Sequence, residues 1–414
     1  MTSRGRGHVA VVTAGALVMG SLTACASGAR DVDPGEPTTV RWYVDDAPRY
    51  AALARTCSDG SAGEFRLELV EAPSHPTERR IDLLQRLRTG DELDVIGLDT
   101  ALVAELAASG LLADLADSDA DDLTEGRTEA SVEAVTVDGT VVAAPWTYEP
   151  QVLFHRGSTA ERAGLDMTAP VTWNQLSGGA DRIGGSLQVA GTTTDWVRAL
   201  VAGAADEETA DLDDLLTGLA GAPGETAGGV VRTYAASDVG PGPSPDAASA
   251  FVAPGGAFLV GPASLLRLPG LAPVVGELQV APYPLASASA QTSRSPLGGT
   301  ALAVAGTAVD EDVAVEAITC LTAARAQTSL ATTTGHLPTL TEALGSTEVA
   351  SAFGDDLAVV REALDGGVPE PVAAQAHLVA AAIEAGWAPV TDVRTTTPAS
   401  SAGEARRLLD GGLA

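Results

Sequence analysis

Residues able to do covalent or metal chemistry are few in this chain, and their spacing excludes more than it suggests. His75, His155, His336 and His377 show no metal-ligand spacing of the His-Glu-x-x-His kind, so zinc chemistry has no support. A Gly-x-Ser-x-Gly elbow and a glycine-rich phosphate loop are both missing. Lysine does not occur at all, which removes Schiff-base chemistry and a Walker-type phosphate lysine. Asp45, Asp46, Asp99 and Glu149 could supply a glycosidase-type acid pair, but any two carboxylates at the right separation would do, so the pattern is unspecific. The chain therefore reads as a non-enzyme, with no metal and no cofactor.

The cysteines say more. Arg4 and Arg6 precede an apolar run from Val9 to Gly20, which ends in Leu22-Thr23-Ala24-Cys25. A basic start, a short apolar core and small residues before a cut site make an export signal, and the run is too short to span a bilayer stably. Leu-Thr-Ala-Cys resembles the bacterial lipobox, in which the cysteine is acylated and becomes the new N-terminus. Residues 1–24 are thus expected to be a lipoprotein signal peptide, with Cys25 the lipidated residue. Cys57 and Cys320 remain, in an oxidising compartment. A pair left over there most simply forms one bridge; two free buried thiols are the alternative.

The chain has 414 residues, enough for two well-packed domains after the signal is removed. At 45% hydrophobic it is globular, and its net charge of −31 makes nucleic acid and anionic lipid surfaces poor partners. The membrane is expected to be touched through the lipid anchor only.

The elements that must position any site follow in order. Residues 25–37 are small, polar and proline-containing, as a flexible tether is. Thr39 to Val44 and Phe65 to Leu69 read as strands with a helix, Ala47 to Thr56, between them. Pro76-Thr77-Glu78 opens a helix closed by Gly90. Leu93 to Leu98 forms a strand, and a helix carrying Leu102 and Leu106 follows to Gly110. This is a βαβαβα pattern, hence a parallel sheet covered by helices. Ligands of such sheets bind beyond the carboxyl ends of the strands, where Asp99 stands, either as a helix cap or facing a ligand. Asp138-Gly139 predicts a type I′ hairpin, and Val152 to Phe154 a further strand. Thr172 and Gln175 are spaced as a capping box. Ala257 to Val260, Leu278 to Ala281 and Ala301 to Val304 read as strands. Helical pattern dominates from Asp310, with breaks at Gly335, Gly366-Gly367 and Thr395 to Ser401.

Taken together, the lipobox, Glu78-Arg79-Arg80 through Asp94-Val95-Ile96-Gly97-Leu98-Asp99, Asp138-Gly139 through Ala144-Pro145-Trp146, Thr172-Trp173, Leu297-Gly298-Gly299, Cys320-Leu321-Thr322 and Gly335-His336-Leu337-Pro338-Thr339 resemble, in order and spacing, the extracellular solute-binding lipoproteins of ABC importers, in the branch that takes up sugars in actinobacteria. The resemblance implies a periplasmic-binding-protein-like α/β fold, two lobes joined by crossover hinges around a ligand cleft. Lobe 1 would hold 38–144 and 297–334, lobe 2 147–283 and 338–414. It pairs Cys57 with Cys320. It implies a monomer on the outer face of the cytoplasmic membrane, handing a small solute, a sugar or oligosaccharide, to ABC permease subunits.

The cleft candidates are then Trp42, Tyr43, Asp45, Asp99, Trp146, Tyr148 and Glu149, with Trp196 and Arg294 weaker. Two departures stand out. Sugar-binding relatives carry a tryptophan where this chain has Leu102, and Asn-Trp-Pro where it has Val260-Gly261-Pro262. A different sugar, or a solute that is not a sugar, fits that pattern as well. So does a two-lobe lipoprotein with a degenerate cleft that acts as a sensor or binds a protein.

Overall fold

The computed structural model describes residues 36–205 and 211–411. The signal peptide, Cys25 and most of the tether lie outside the described residues. None of the described helices is long and apolar enough to cross a membrane.

Strands β1 (Thr38–Asp45), β2 (Phe65–Ala72) and β3 (Val95–Asp99) alternate with helices α1 (Ala47–Gly60), α2 (Pro76–Thr89) and α3 (Thr100–Ala108). β1 pairs in parallel with both β2 and β3, as the βαβαβα pattern predicts. α2 starts on Pro76, whose missing N–H costs nothing in a first turn, and stops at Gly90 in the left-handed region at φ 77°. A small hairpin, β4 (Thr136–Val137) and β5 (Thr140–Val141), turns through Asp138 and Gly139 at φ 51° and 82°, the type I′ geometry expected of Asp-Gly.

β6 (Ala144–Arg156) is a single strand of 13 residues where the sequence suggests two pieces. Prolines 145 and 150 read as breaks, yet a strand that changes partners along its length tolerates a missing N–H. Up to Pro150 it pairs with β10 (Pro296–Val304); from Gln151 it pairs with β8 (Gly256–Pro262), and from Leu153 also with β9 (Leu278–Ala281). β7 (Ser186–Val189), which the sequence pattern does not reveal, extends the second half by lying parallel to β8. The order is β2-β1-β3-β10-β6-β8-β7, with β11 (Leu337–Pro338) on β6 and β12 (Val368–Pro369) on β10. Two half-sheets thus meet along β6 and β10. On β10, Gly299 leaves no room for a side chain: an added Cβ would stand 2.4 Å from the Thr147 carbonyl oxygen.

Each half has its own core. In the first, β1 packs against α1 and the helix Glu311–Thr322 through Val40, Trp42, Tyr50, Trp146 and Ile318. The Cys57–Cys320 disulfide joins those two helices, with Cα atoms 5.8 Å apart. In the second, Trp173, Trp196, Tyr234, Tyr283 and Trp387 anchor a larger cluster. The helix Thr397–Leu409 runs through the expected break at 395–401, because Pro398 and small residues suit a first turn.

The junction is knit by buried hydrogen bonds. Gln327 Nε2 donates to the Trp146 carbonyl at 2.9 Å and to Thr339 Oγ1 at 3.1 Å, while its Oε1 accepts from Leu340 N at 3.0 Å. Ser295 Oγ accepts from Gln151 N at 2.7 Å and donates to the Gln151 carbonyl at 2.9 Å. The Ser295 bonds satisfy the Gln151 backbone groups at the place where β6 switches partners.

Candidate functional site

Charged side chains gather at the carboxyl ends of β1 and β3. Asp45 ends β1 and Asp99 ends β3. Asp99 occupies the N-cap position of α3, yet its carboxylate makes no capping hydrogen bond. It turns to Arg79, with Nη2 and Oδ2 3.3 Å apart, and the other arm of the same guanidinium meets Asp45. Asp99 thus stands at a helix start with its carboxylate held by Arg79 in place of the helix N–H groups. Its side chain is 38% exposed. Burial pushes its pKa up against the pull of Arg79, and the charges of Asp45, Glu149 and Asp195 add to the rise.

Arg49 pairs with Asp46 at 3.5 Å and donates to the Thr334 carbonyl at 3.0 Å. Glu149, from the crossing strand β6, lies 2.6 Å from His336 Nδ1. Burial raises the Glu149 pKa, but His336, a hydrogen bond from Ser264 and the Arg49 charge together hold the carboxyl below its ordinary value.

The second half contributes from the start of the helix Thr193–Ala205. Thr192 donates to Asp195 at 2.7 Å and accepts from its backbone N–H at 3.0 Å, the reciprocal pattern of a helix start. Asp195 meets Arg198 at 3.2 Å. The Arg198 side chain is buried and donates to the carbonyls of Val368, at 2.9 Å, and of Pro369. Those contacts fix the segment carrying Glu370, which accepts from Thr100 Oγ1 of α3 at 2.6 Å. Burial, with the charges of Asp195 and Asp99, pushes Glu370 up to about 7 despite Arg198 and Thr100. Carboxylates from both halves are thus close enough to raise one another.

Trp42, Tyr43, Trp146 and Trp196 lie in the cores, where the sequence reading expected cleft residues. Trp42 and Trp146 are at most 1% exposed. They pack on each other with centroids 5.5 Å apart, and both contact Tyr50. Trp146 Nε1 donates to the Leu321 carbonyl at 3.1 Å, which pins the indole inward. Tyr43 is buried on the opposite face of β1, its hydroxyl donating to Asp82 at 3.0 Å. Trp196 stacks in the second core against Trp173 and Tyr234. Tyr148 is 5% exposed and its hydroxyl meets Thr128. It lines a cavity of about 20 Å³ with Thr100, Thr147, Gly298 and Glu370, room for a water but not for a sugar. Arg294 packs beside Gly203, on the helix that starts near Asp195. In fact all five Trp, five Tyr and five Phe residues of the chain are no more than 5% exposed.

Sequence reasoning missed Arg79, Asp195, Arg198 and Glu370 as members of this charged group. A signal existed for two of them, because Thr192-x-x-Asp195 has capping-box spacing and places Arg198 one turn further on. Among the described residues, no cluster of three or more His, Cys, Asp or Glu could hold a metal ion.

The bacterial extracellular solute-binding protein family matches residues 60–354. Among solved structures, the chain resembles the GacH receptor of Streptomyces glaucescens at 20% identity and a TM-score of 0.78, covering 90% of this chain and 98% of that one. It resembles maltose-bound MalE3 of T. maritima at 19% identity and a TM-score of 0.76, covering 90% and 100%. UgpB of Mycobacterium tuberculosis, solved with glycerophosphocholine, matches at 18% identity and 0.72, covering 90% and 98%. At these identities the likeness is one of fold, and that fold is the periplasmic-binding-protein-like arrangement.

Proposed function

The chain belongs to the bacterial extracellular solute-binding protein family, and from that premise we propose that it is a lipid-anchored receptor that captures a small polar solute between two closing lobes and delivers it to an ABC importer. Cys25 is the anchor in this reading, on the outer face of the cytoplasmic membrane. Lobe 1 takes 38–144 with 297–334, and lobe 2 takes 147–283 with 338–414. The observation that carries the reading is the pair of acid–guanidinium sets, Arg79 with Asp45 and Asp99 in one half and Arg198 with Asp195 in the other, near enough for Asp195 to raise Asp99. Carboxylates accept from hydroxyls and guanidiniums donate to them, so such sets suit sugars, polyols and similar solutes. Structures of this fold have been solved with maltose, tagatose and glycerophosphocholine, all of them small and polar.

A thermal-shift screen over mono- and disaccharides, polyols and short peptides tests the proposal. Binding to the folded state alone stabilises it by about 2.7 kcal/mol at a hundred times Kd, so a true solute should raise Tm with the logarithm of its concentration. One observation favours a second reading, a sensor or protein-binding lipoprotein: no exposed ring is available to stack on a sugar. A silent screen, together with a protein partner recovered from membranes, would select that alternative.

A further inference from the structure

We propose that α3 is one jaw of a proton-controlled clasp between the two lobes: Thr100 and Glu105 on that helix engage Glu370 and His377 of the other lobe, and acid tightens the grip. The inference rests on the two-lobe reading above and adds to it a regulator of closure.

In that division α3 belongs to lobe 1, while Glu370 and the helix Ala376–Trp387 belong to lobe 2. At the start of α3, Thr100 Oγ1 lies 2.6 Å from a Glu370 carboxyl oxygen. Further along the same helix, Glu105 Oε2 lies 3.6 Å from His377 Nδ1. Arg80 of α2 grips Glu105 through Nε at 2.8 Å and through Nη2, so that carboxylate is held in place for the imidazole. Thr100 and Glu370 also line the cavity of about 20 Å³ beside Thr147 and Tyr148, which encloses the carboxyl at the junction. Each of the two contacts thus brings one titratable group of lobe 2 against one helix of lobe 1.

Glu370 favours its proton in this setting. Burial raises its pKa most, Arg198 and the Thr100 hydrogen bond pull it down, Asp195 and Asp99 push it up, and the balance is about 7. Arg198 and Asp195 lie on the helix Thr193–Ala205 of the same lobe, whereas Asp99 and Thr100 belong to the other. Protonated, the carboxyl donates to Thr100 Oγ1, and that hydroxyl turns its own hydrogen to the Gly299 carbonyl, 3.4 Å away. Ionised, it accepts from Thr100 but brings a charge into an enclosed site near Asp99. Separating the lobes returns the carboxylate to water, so the open form gives up the proton more readily. The gain from engagement is therefore complete below pH 4.5 and lost as pH rises through 7.

His377 acts in the same direction. Its Nδ1 faces two acceptors, the Ala374 carbonyl at 3.1 Å and Glu105, so the neutral ring keeps its proton there. A second proton, on Nε2, makes the ring a cation beside Glu105, and imidazoles as a class take up that proton in mild acid. Arg80 on the same carboxylate offsets part of the attraction, and His377 is 34% exposed, so this arm is the weaker one.

Double electron–electron resonance on the disulfide-intact, solute-free chain tests the clasp, with nitroxides at Thr89 and Thr217, exposed positions of lobe 1 and lobe 2. Between about pH 5.5 and about pH 8.5 the shorter-distance population should fall at least about threefold. Glu370→Gln, which imitates the protonated carboxyl, should keep most of that population at the higher pH. Glu370→Gln with His377→Gln should abolish the pH dependence, and Thr100→Val should favour the longer distance throughout. Each variant is checked for an unchanged circular dichroism spectrum. A distance that responds to Thr100→Val but not to pH overturns the proton control and leaves lobe closure standing. A pH response that survives in the double variant places the control elsewhere, as at His336 and Glu149 of the crossover, and overturns the clasp named here. One fixed distance in every variant at every pH overturns the clasp and counts against closing lobes as well.

Discussion

The two halves of the molecule build the same kind of rim on differently secured foundations. In the first, Arg79 rises from α2 and gathers two carboxylates at strand ends, above a core that a disulfide staples between α1 and the helix Glu311–Thr322. In the second, Arg198 gathers one carboxylate and two backbone carbonyls, above a disulfide-free cluster of Trp173, Trp196, Tyr234 and Tyr283. The contrast separates two jobs that hydrophobic pattern alone merges. Rings supply the foundations in both halves, and in the proposed function charge supplies the grip.

That separation can be broken first at Trp146. A ring that belongs to the foundation costs stability when removed, so Trp146→Ala should lose about 3 to 5 kcal/mol in chemical denaturation. Normal stability with weakened solute binding would return the ring to the cleft. The disulfide comes next. Cys57→Ser with Cys320→Ser should cost about 2 to 5 kcal/mol. Hydrogen exchange should quicken in α1 and in Glu311–Thr322 well before the second half responds; simultaneous loosening would show that the halves are not separately secured.

Arg198→Met sharpens the comparison on the other side. It strands Asp195 and the carbonyls of Val368 and Pro369, for a loss of about 1 to 3 kcal/mol, measured by urea titration. A smaller effect is expected at Glu370. Its folded value near 7 lies above the ordinary 4.5, so the folded state holds this proton more firmly than the unfolded chain. The stability this confers is complete below pH 4.5 and lost as pH rises through 7. Glu370→Gln should therefore match the wild type at acidic pH and exceed it at pH 8 by on the order of 1 kcal/mol. A variant no more stable at pH 8 would mean that Arg198 already compensates the charge.

Much of this arrangement was readable from residue order. The parallel run of β1, β2 and β3 followed from strand and helix periods punctuated by Pro76 and Gly90, and Asp138-Gly139 named its own turn. The place of Asp99 at the end of β3 was legible because the apolar run Val95–Leu98 stops there. The unity of β6 was not, because Pro145 and Pro150 imitate strand breaks and only the change of partner explains them. The aromatics misled for a related reason. A tryptophan in a strand has two faces open to it, and only the packing of Trp42, Tyr50 and Trp146 against one another decides which. Arg198 and Glu370 were hidden because their meeting depends on contacts between segments more than 160 residues apart.

The central claim is that one solute is held from both halves at once. Calorimetry on the wild type, Asp99→Asn and Asp195→Asn, using whichever probe raises Tm most, tests it directly. Each substitution alone should weaken binding by about tenfold or more, since each removes a charge-assisted acceptor from the same solute. Wild-type affinity in either variant would mean that the solute touches only one half, and the account of a shared cleft would be wrong.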